Sequence, residues 1–348
     1  MIESVKLFNF EGLDDVAKSA LVQNIHSSPD FLPLSPTPVF DAFWTFAAER
    51  QAIFTNRRLK LAPPWTTDPI LNSYKFTNVY RASDRVSQFL IRNVIYSQNY
   101  DQRDIIFRIL LFKLFNKIET WQLLERELGP ITAAEFSVEL YDRVLSATRE
   151  RGQRIYSGAY IMPPGSKIFK THKKHVAHLR LLDLMLKDTV SEKIVNSPNL
   201  QSVFNTLRSY PLLGNFLAYQ FTIDINYSEG INFPESEFVV AGPGARSGIR
   251  KCFANSTVMA EEDIIRLVTE LQEQEFALRG VQFQWLGGRR LQLIDIQNIF
   301  CEIDKYSRVR FPEIVSGANR VKIKQRFNPH PAPIEYWYPP KWGINEAI

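Results

Sequence analysis

A mainly α-helical protein is what this sequence predicts, on three observations. Apolar residues recur at helical spacing in one stretch after another. Only two short segments, SGAYIM (157–162) and EFVVA (237–241), read as strands. No motif returns at a fixed period, so a solenoid or propeller is not indicated.

The 348 residues suit one large helical domain or two lobes sharing a cleft. Hydrophobic residues make up 45% and aromatic residues 13%, with 25 Phe. That supplies a sizeable core, and rings that could stack on a base. No apolar run approaches the roughly 20 residues needed to cross a bilayer, and the opening MIESVKLFNFEGLDD lacks a signal-peptide layout. Cys252 and Cys301 cannot build a disulfide framework. These features predict a cytoplasmic protein (nuclear in a eukaryote), taken to be a monomer with no membrane partner. A charge of +5 suits a nucleic-acid partner without demanding one.

Residues 1–38 form a lead-in that ends in the Pro-rich PDFLPLSPTPVF, which cannot be a regular helix. A helix is predicted from Phe40 to Arg58, broken by LAPPWTTDPIL. The next run from Asn78 to Tyr96 and from Arg103 to Lys117. Others are expected near 119–128, 132–150, 172–190, 196–208, 211–221 and 260–278. The main domain then spans 39–310. The tail 311–348 starts basic and turns Pro- and aromatic-rich, which suits an arm packed by its rings or a DNA-contacting arm. In the latter Lys322, Lys324 and Arg326 would alternate to one side.

Four segments could carry chemistry. In Val239–Lys251 a Gly-Pro-Gly turn opens a short helix. Gly242, Gly244 and Gly248 would let backbone approach a phosphate, with Arg246, Arg250 and Lys251 adding charge; a structural turn is the alternative. No GxxxxGK[ST] occurs, which speaks against a P-loop. In Asp295–Tyr306, Asp295, Asn298, Glu302 and Lys305 share one helical face and Asp304 flanks the apolar stripe. Carboxylates beside a Lys suit acid/base or carbocation-stabilising chemistry, or simply a solvated Glu302–Lys305 pair. Asn78, Arg81 and Arg85 fall on one face of the helix predicted there, with Asp84 beside Arg81. Asp224, in the apolar run FTIDINY, is costly to bury unless paired. His172, His175 and His178 do not form a metal set, Cys301 reads as a core thiol, and no cofactor or metal is called for.

Taken in order, PWTTDPILNSYKFTNVYRASDR, FRILLFKLFNKIETW, SGAYIM, the Asp224 segment, VAGPGARSGIRKCF and NIFCEIDKY resemble the DNA base hypermodification family. That family is also described as the helical domain of hydroxymethyluracil DNA kinases and as α-glutamyl/putrescinyl-thymine pyrophosphorylases. The resemblance covers roughly residues 40 to 310. It implies a helix-hairpin-helix, DNA-glycosylase-like fold with two helical lobes around a cleft, and DNA carrying modified bases as partner. GPGARSG then matches the hairpin. CEIDKY makes Glu302, Asp304 and Lys305 catalytic candidates beside Asp224, and FTNVYRASDR makes Asn78, Arg81 and Asp84 pocket candidates with Asn298. In ordinary glycosylases of this fold the catalytic Asp closely follows the hairpin. Here Asp304 lies about 60 residues past Gly244, which leaves Glu302 an equal candidate. The function expected is excision of a flipped-out, phage-type base by a DNA glycosylase, as in anti-phage defence. The alternatives are transfer of an amine or amino acid to an activated thymine, and non-catalytic DNA binding.

Overall fold

The computed structural model describes residues 33–317, 321–328 and 334–348. Most of the expected lead-in, residues 1–32, lies outside them. Among the described residues the chain is helical and contains no sheet, only isolated bridges such as Tyr74 with Arg326. SGAYIM and EFVVA form no strand. No described helix is long and apolar enough to cross a membrane. Two compact units are present: Met1–Phe76, Gly244–Gln284 and Ile299–Asn328 in the first, and Thr77–Pro243, Trp285–Asn298 and Pro329–Ile348 in the second.

In the first unit, α1 (Pro38–Arg58) starts where Thr37 accepts a hydrogen bond from the Val39 N–H and Pro38 presets the first turn. Asp68 caps α2 (Pro69–Ser73) in the same way, through the Ile70 and Leu71 N–H groups. The second unit contributes α3 (Arg85–Phe89), α4 (Gln102–Phe115), α5 (Ile118–Leu128), α6 (Val138–Glu150), α7 (Lys174–Lys187), α8 (Val190–Val195), α9 (Leu200–Arg208) and α10 (Asn215–Ile225). The chain continues through α11 (Pro243–Cys252), α12 (Glu261–Glu270), α13 (Gln272–Leu278) and α14 (Leu293–Arg310). The boundary between the units falls inside α14, between Asn298 and Ile299.

Rings fill the first unit's core. Phe40 lies 4.7 Å from Phe253, Phe43 lies 4.7 Å from Phe300 and Trp44 lies 4.8 Å from Phe276, so α1 is gripped by residues of α13, α14 and the end of α11. Such pairs add to the area they bury. The close approach of α11 to α14 requires glycine. A Cβ on Gly248 would overlap the Phe300 carbonyl, and one on Gly244 would overlap the Cys301 Sγ. These glycines therefore serve helix-on-helix packing, and residues 226–242 ahead of the turn form no helix. The Gly-Pro-Gly turn opens a helix without closing one, and the expected helix-hairpin-helix lacks its first arm.

In the second unit, α4 is buried from Ile106 to Phe115, with α7, α8 and α10 packed on it. The helix expected from Asn78 to Tyr96 is different in kind. Residues 77–80 are non-helical, Arg81–Ser83 is a 3-10 turn, and Leu90–Ile95 is a π-helix after α3. The wide π turns leave carbonyls that Arg108 reaches from α4. Its Nε donates to Val94 O at 2.8 Å and its Nη2 to Asn93 O at 3.2 Å. The aromatic arm docks on this unit. Tyr338 is buried with its hydroxyl 2.8 Å from Ser83 Oγ, and the Lys341 ammonium donates to Ser228 O and Ile231 O.

Gly248→Ala is expected to destabilise the chain by about 1–3 kcal/mol through overpacking. Gly158→Ala, at a position with open space around it, should leave stability nearly unchanged. Equal thermal midpoints for the two variants would contradict this account of α11 and α14.

Candidate functional site

The two units hold two separate clusters of charge. In the second unit the cluster centres on Asp224, the one charged residue of α10. It is 1% exposed, and its carboxylate is held by two cations. Arg81 donates from Nη1 at 2.6 Å and from Nη2 at 3.0 Å, and Lys113 of α4 approaches to 2.9 Å. Arg81 also donates to Gln220 Oε1 at 3.0 Å and to Tyr227 Oη at 3.0 Å. Burial pushes the Asp224 carboxyl up, but the Arg81 and Lys113 charges outweigh it and hold it below the usual carboxylate range. Burial lowers the Lys113 ammonium, only partly offset by Asp224. Two cations on one carboxylate leave a surplus positive charge out of water. The Tyr160 ring lies 4.4 Å from the Lys113 ammonium and stacks on Phe216.

The segment that carries Arg81 is braced by the other residues singled out in sequence. Asp84 accepts from the Asn78 N–H at 2.8 Å, and the Asn78 side chain donates to Ser83 O at 2.7 Å. Asn298 donates to Thr77 Oγ1 and Asn78 O, each at 3.0 Å, and Asp295 accepts from the Arg81 N–H at 2.8 Å. Asp84 therefore holds a turn and not Arg81, and the shared helical face for Asn78, Arg81 and Arg85 does not exist because residues 78–80 are not helical. Asp295 also accepts from the Gln292 N–H, which satisfies a free donor at the start of α14. Burial pushes its carboxyl up to about 7, against those backbone donors.

The first unit gathers the α11 and α14 candidates. Asp304 is 2% exposed and accepts from Ser247 Oγ at 2.7 Å, with Lys251 at 3.1 Å and Arg308 as ion partners. Burial raises this carboxyl, but the Ser247 and Arg308 hydrogen bonds and the nearby positive charges bring it below its ordinary value. Glu302 pairs with Lys305 at 2.5 Å. Lys251 is buried and also donates to Ser307, whereas Arg246 and Arg250 are exposed. Gly242 belongs to the second unit, where a Cβ would meet the Phe216 ring at 2.8 Å. Glu302, Asp304 and Lys305 thus sit in one unit, while Asp224, Arg81, Asn78, Asp84 and Asn298 meet in the other. Burial pushes the Cys301 thiol up to about 12.

Sequence reasoning missed Lys113, Gln220, Tyr227 and Tyr160. The available signal was cations in the apolar stripe FRILLFKLF, Arg108 and Lys113, together with a lone Asp in FTIDI, which says that opposite charges are hidden but not which cation meets the Asp. It also missed Asp142, which lies 2.8 Å from His175 Nε2. Ser146 reaches that same nitrogen, so the three do not form a relay. His178 donates to Pro163 O and accepts from Tyr156 Oη, and burial lowers it to about 4.

Residues 37–316 match the family described as the helical domain of 5-hmdU DNA kinase. The chain belongs to this family. It is 26% identical over 295 residues to a 5-hmdU DNA kinase of Bacillus phage SP10, covering 79% of this chain and 46% of that protein. The chain thus spans about half the length of the curated relative it matches. No solved structure matches. The family resemblance read from the ordered motifs is borne out, but the activity drawn from it is corrected. The family and the relative are named for a kinase, and phosphoryl transfer leaves the bond between base and sugar whole. Excision of a flipped-out base by a glycosylase or hydrolase is set aside on that finding, and transfer of an amine or amino acid with it.

Asp224→Asn, which strands two buried cations, should cost about 3–5 kcal/mol in urea unfolding at neutral pH. The folded pKa of Asp224 lies below its unfolded value of about 3.9, so this contribution is complete above that pH and fades as pH falls through the folded value. The gap between wild type and variant should therefore narrow under acid. A gap of less than about 1 kcal/mol at neutral pH would contradict the reading.

Proposed function

We propose that this chain is the DNA-engaging helical component of a system that phosphorylates 5-hydroxymethyluracil in DNA. The observation that carries the reading is the family match across residues 37–316. In the reaction the hydroxymethyl oxygen attacks the terminal phosphorus of a nucleoside triphosphate and loses its proton, and the diphosphate leaves. Catalysis of such a step is mostly positioning and electrostatics. The Arg81–Asp224–Lys113 cluster offers fixed positive charge in a low-dielectric setting, which suits an oxygen or phosphoryl group gaining negative charge. We assign Arg81 and Lys113 that role, with Asp224 holding both, and Asn78, Asp84 and Asn298 as positioning residues. No GxxxxGK[ST] occurs in the sequence. In this reading this chain presents the DNA, and the nucleotide is held elsewhere in the system.

The test is fluorescence anisotropy with matched duplexes carrying 5-hydroxymethyluracil or thymine. A recognised hydroxyl should favour the modified duplex by about tenfold or more. Arg81→Met should erase that preference. Equal affinity of the wild-type chain for both duplexes would contradict the proposal.

A further inference from the structure

The first unit contains a groove that the function above leaves unused. It measures about 660 Å³, and its described lining is Lys75, Lys305, Arg308, Val321, Lys322, Ile323, Lys324 and Gln325. Five of these eight residues are cationic and none is acidic. Its construction follows from backbone pairing. The Lys75 N–H donates to Gln325 O at 3.0 Å and the Phe327 N–H to Ser73 O at 3.1 Å, around the Tyr74–Arg326 bridge. The 321–328 segment is thereby laid antiparallel to Ser73–Lys75. Arg308 ties the other side through Lys322 O at 3.2 Å.

Two of the five lining cations are already paired, Lys305 with Glu302 and Arg308 with Asp304. The ammonium groups of Lys75, Lys322 and Lys324 make no ion pair among the described residues, and all three residues are exposed. The Arg308 side chain is 9% exposed, and its Nε is buried without a hydrogen-bond partner. Unpaired ammonium groups gathered along one open wall favour an anionic partner.

We propose that this groove holds the phosphate backbone of DNA, positioning the duplex without reading its sequence. The inference rests on the reading of the chain as a DNA-engaging component. The lining favours a backbone over a free nucleotide: it has no aromatic ring to stack a base, no carboxylate to hold a magnesium ion and no glycine loop to wrap a triphosphate. Repeated lysines on an open groove match evenly spaced phosphates, each contact releasing counterions.

The test compares the full chain with the triple variant Lys75→Gln/Lys322→Gln/Lys324→Gln, and with a control triple, Lys60→Gln/Lys167→Gln/Lys170→Gln, at exposed lysines outside the groove. Binding to an ordinary thymine duplex and to the 5-hydroxymethyluracil duplex is followed against salt. The groove variant should bind both duplexes about tenfold or more weakly, with the log-log salt slope shallower by roughly 2–3. The ratio between the duplexes should be unchanged, and the control should stay within about threefold of wild type. Groove-variant binding within about threefold of wild type, or an equal loss in the control, would overturn the groove while leaving the functional reading intact. Failure of the wild-type chain to bind either duplex would overturn that reading, and the groove with it. Thermal stabilisation by ATP that the groove variant loses would overturn DNA as the occupant.

Discussion

Asp224 lies on a helix whose other residues carry no charge, under a layer that excludes water. A carboxylate there is tolerable only if cations reach it, because desolvation of an unpaired charge costs several kcal/mol. That constraint determines much of the second unit. It brings Lys113 inward from a helix that is otherwise apolar at its buried positions apart from Arg108. It also pulls the Thr77–Asp84 turn against α10 so that Arg81 can make two parallel bonds. The braces follow: Asp84 on the Asn78 N–H, Asn298 on Thr77 and Asn78, Asp295 on the Arg81 N–H. One carboxylate between two cations leaves positive charge in excess, beside the half-buried Tyr160 ring.

The helices were legible where apolar periodicity and caps agree. Thr37-Pro38 before α1 and Asp101 before α4 are start signals with a direct mechanism, and both helices begin there. The stretch 78–96 misled because its apolar spacing is helical while its polar residues are turn-formers. Asn78, Ser83 and Asp84 bond to one another's backbone instead of extending a helix, and the π segment beyond relies on Arg108, which lies 13 residues past Ile95. EFVVA has strand composition but no partner to pair with among the described residues. The glycines of VAGPGARSG were read as an approach to phosphate. Glycine does permit close approach, but sequence does not say to what, and at Gly244 and Gly248 the neighbour is α14.

The functional signal was uneven for the same reason. The ordered motifs identified the family, since several matched segments over most of a chain are specific. The chemistry did not follow from them. Carboxylates beside a Lys on α14 read as acid/base machinery, yet Asp304 is bound by Ser247, Lys251 and Arg308, an arrangement that also ties α11 to α14. Lys113 could not be chosen from its own helix, where Arg108 is an equally buried cation; only the three-dimensional meeting with Asp224 distinguishes it.

In the proposed function the Arg81–Asp224–Lys113 charges serve the DNA substrate and not folding alone. The direct test replaces all three by apolar residues of similar size, Arg81→Met/Lys113→Met/Asp224→Leu. Such replacements of buried ion clusters are often neutral or stabilising. The triple variant should fold with a thermal midpoint at or above that of the wild type and show no preference for 5-hydroxymethyluracil DNA over thymine DNA. A folded triple variant that keeps the preference would contradict it.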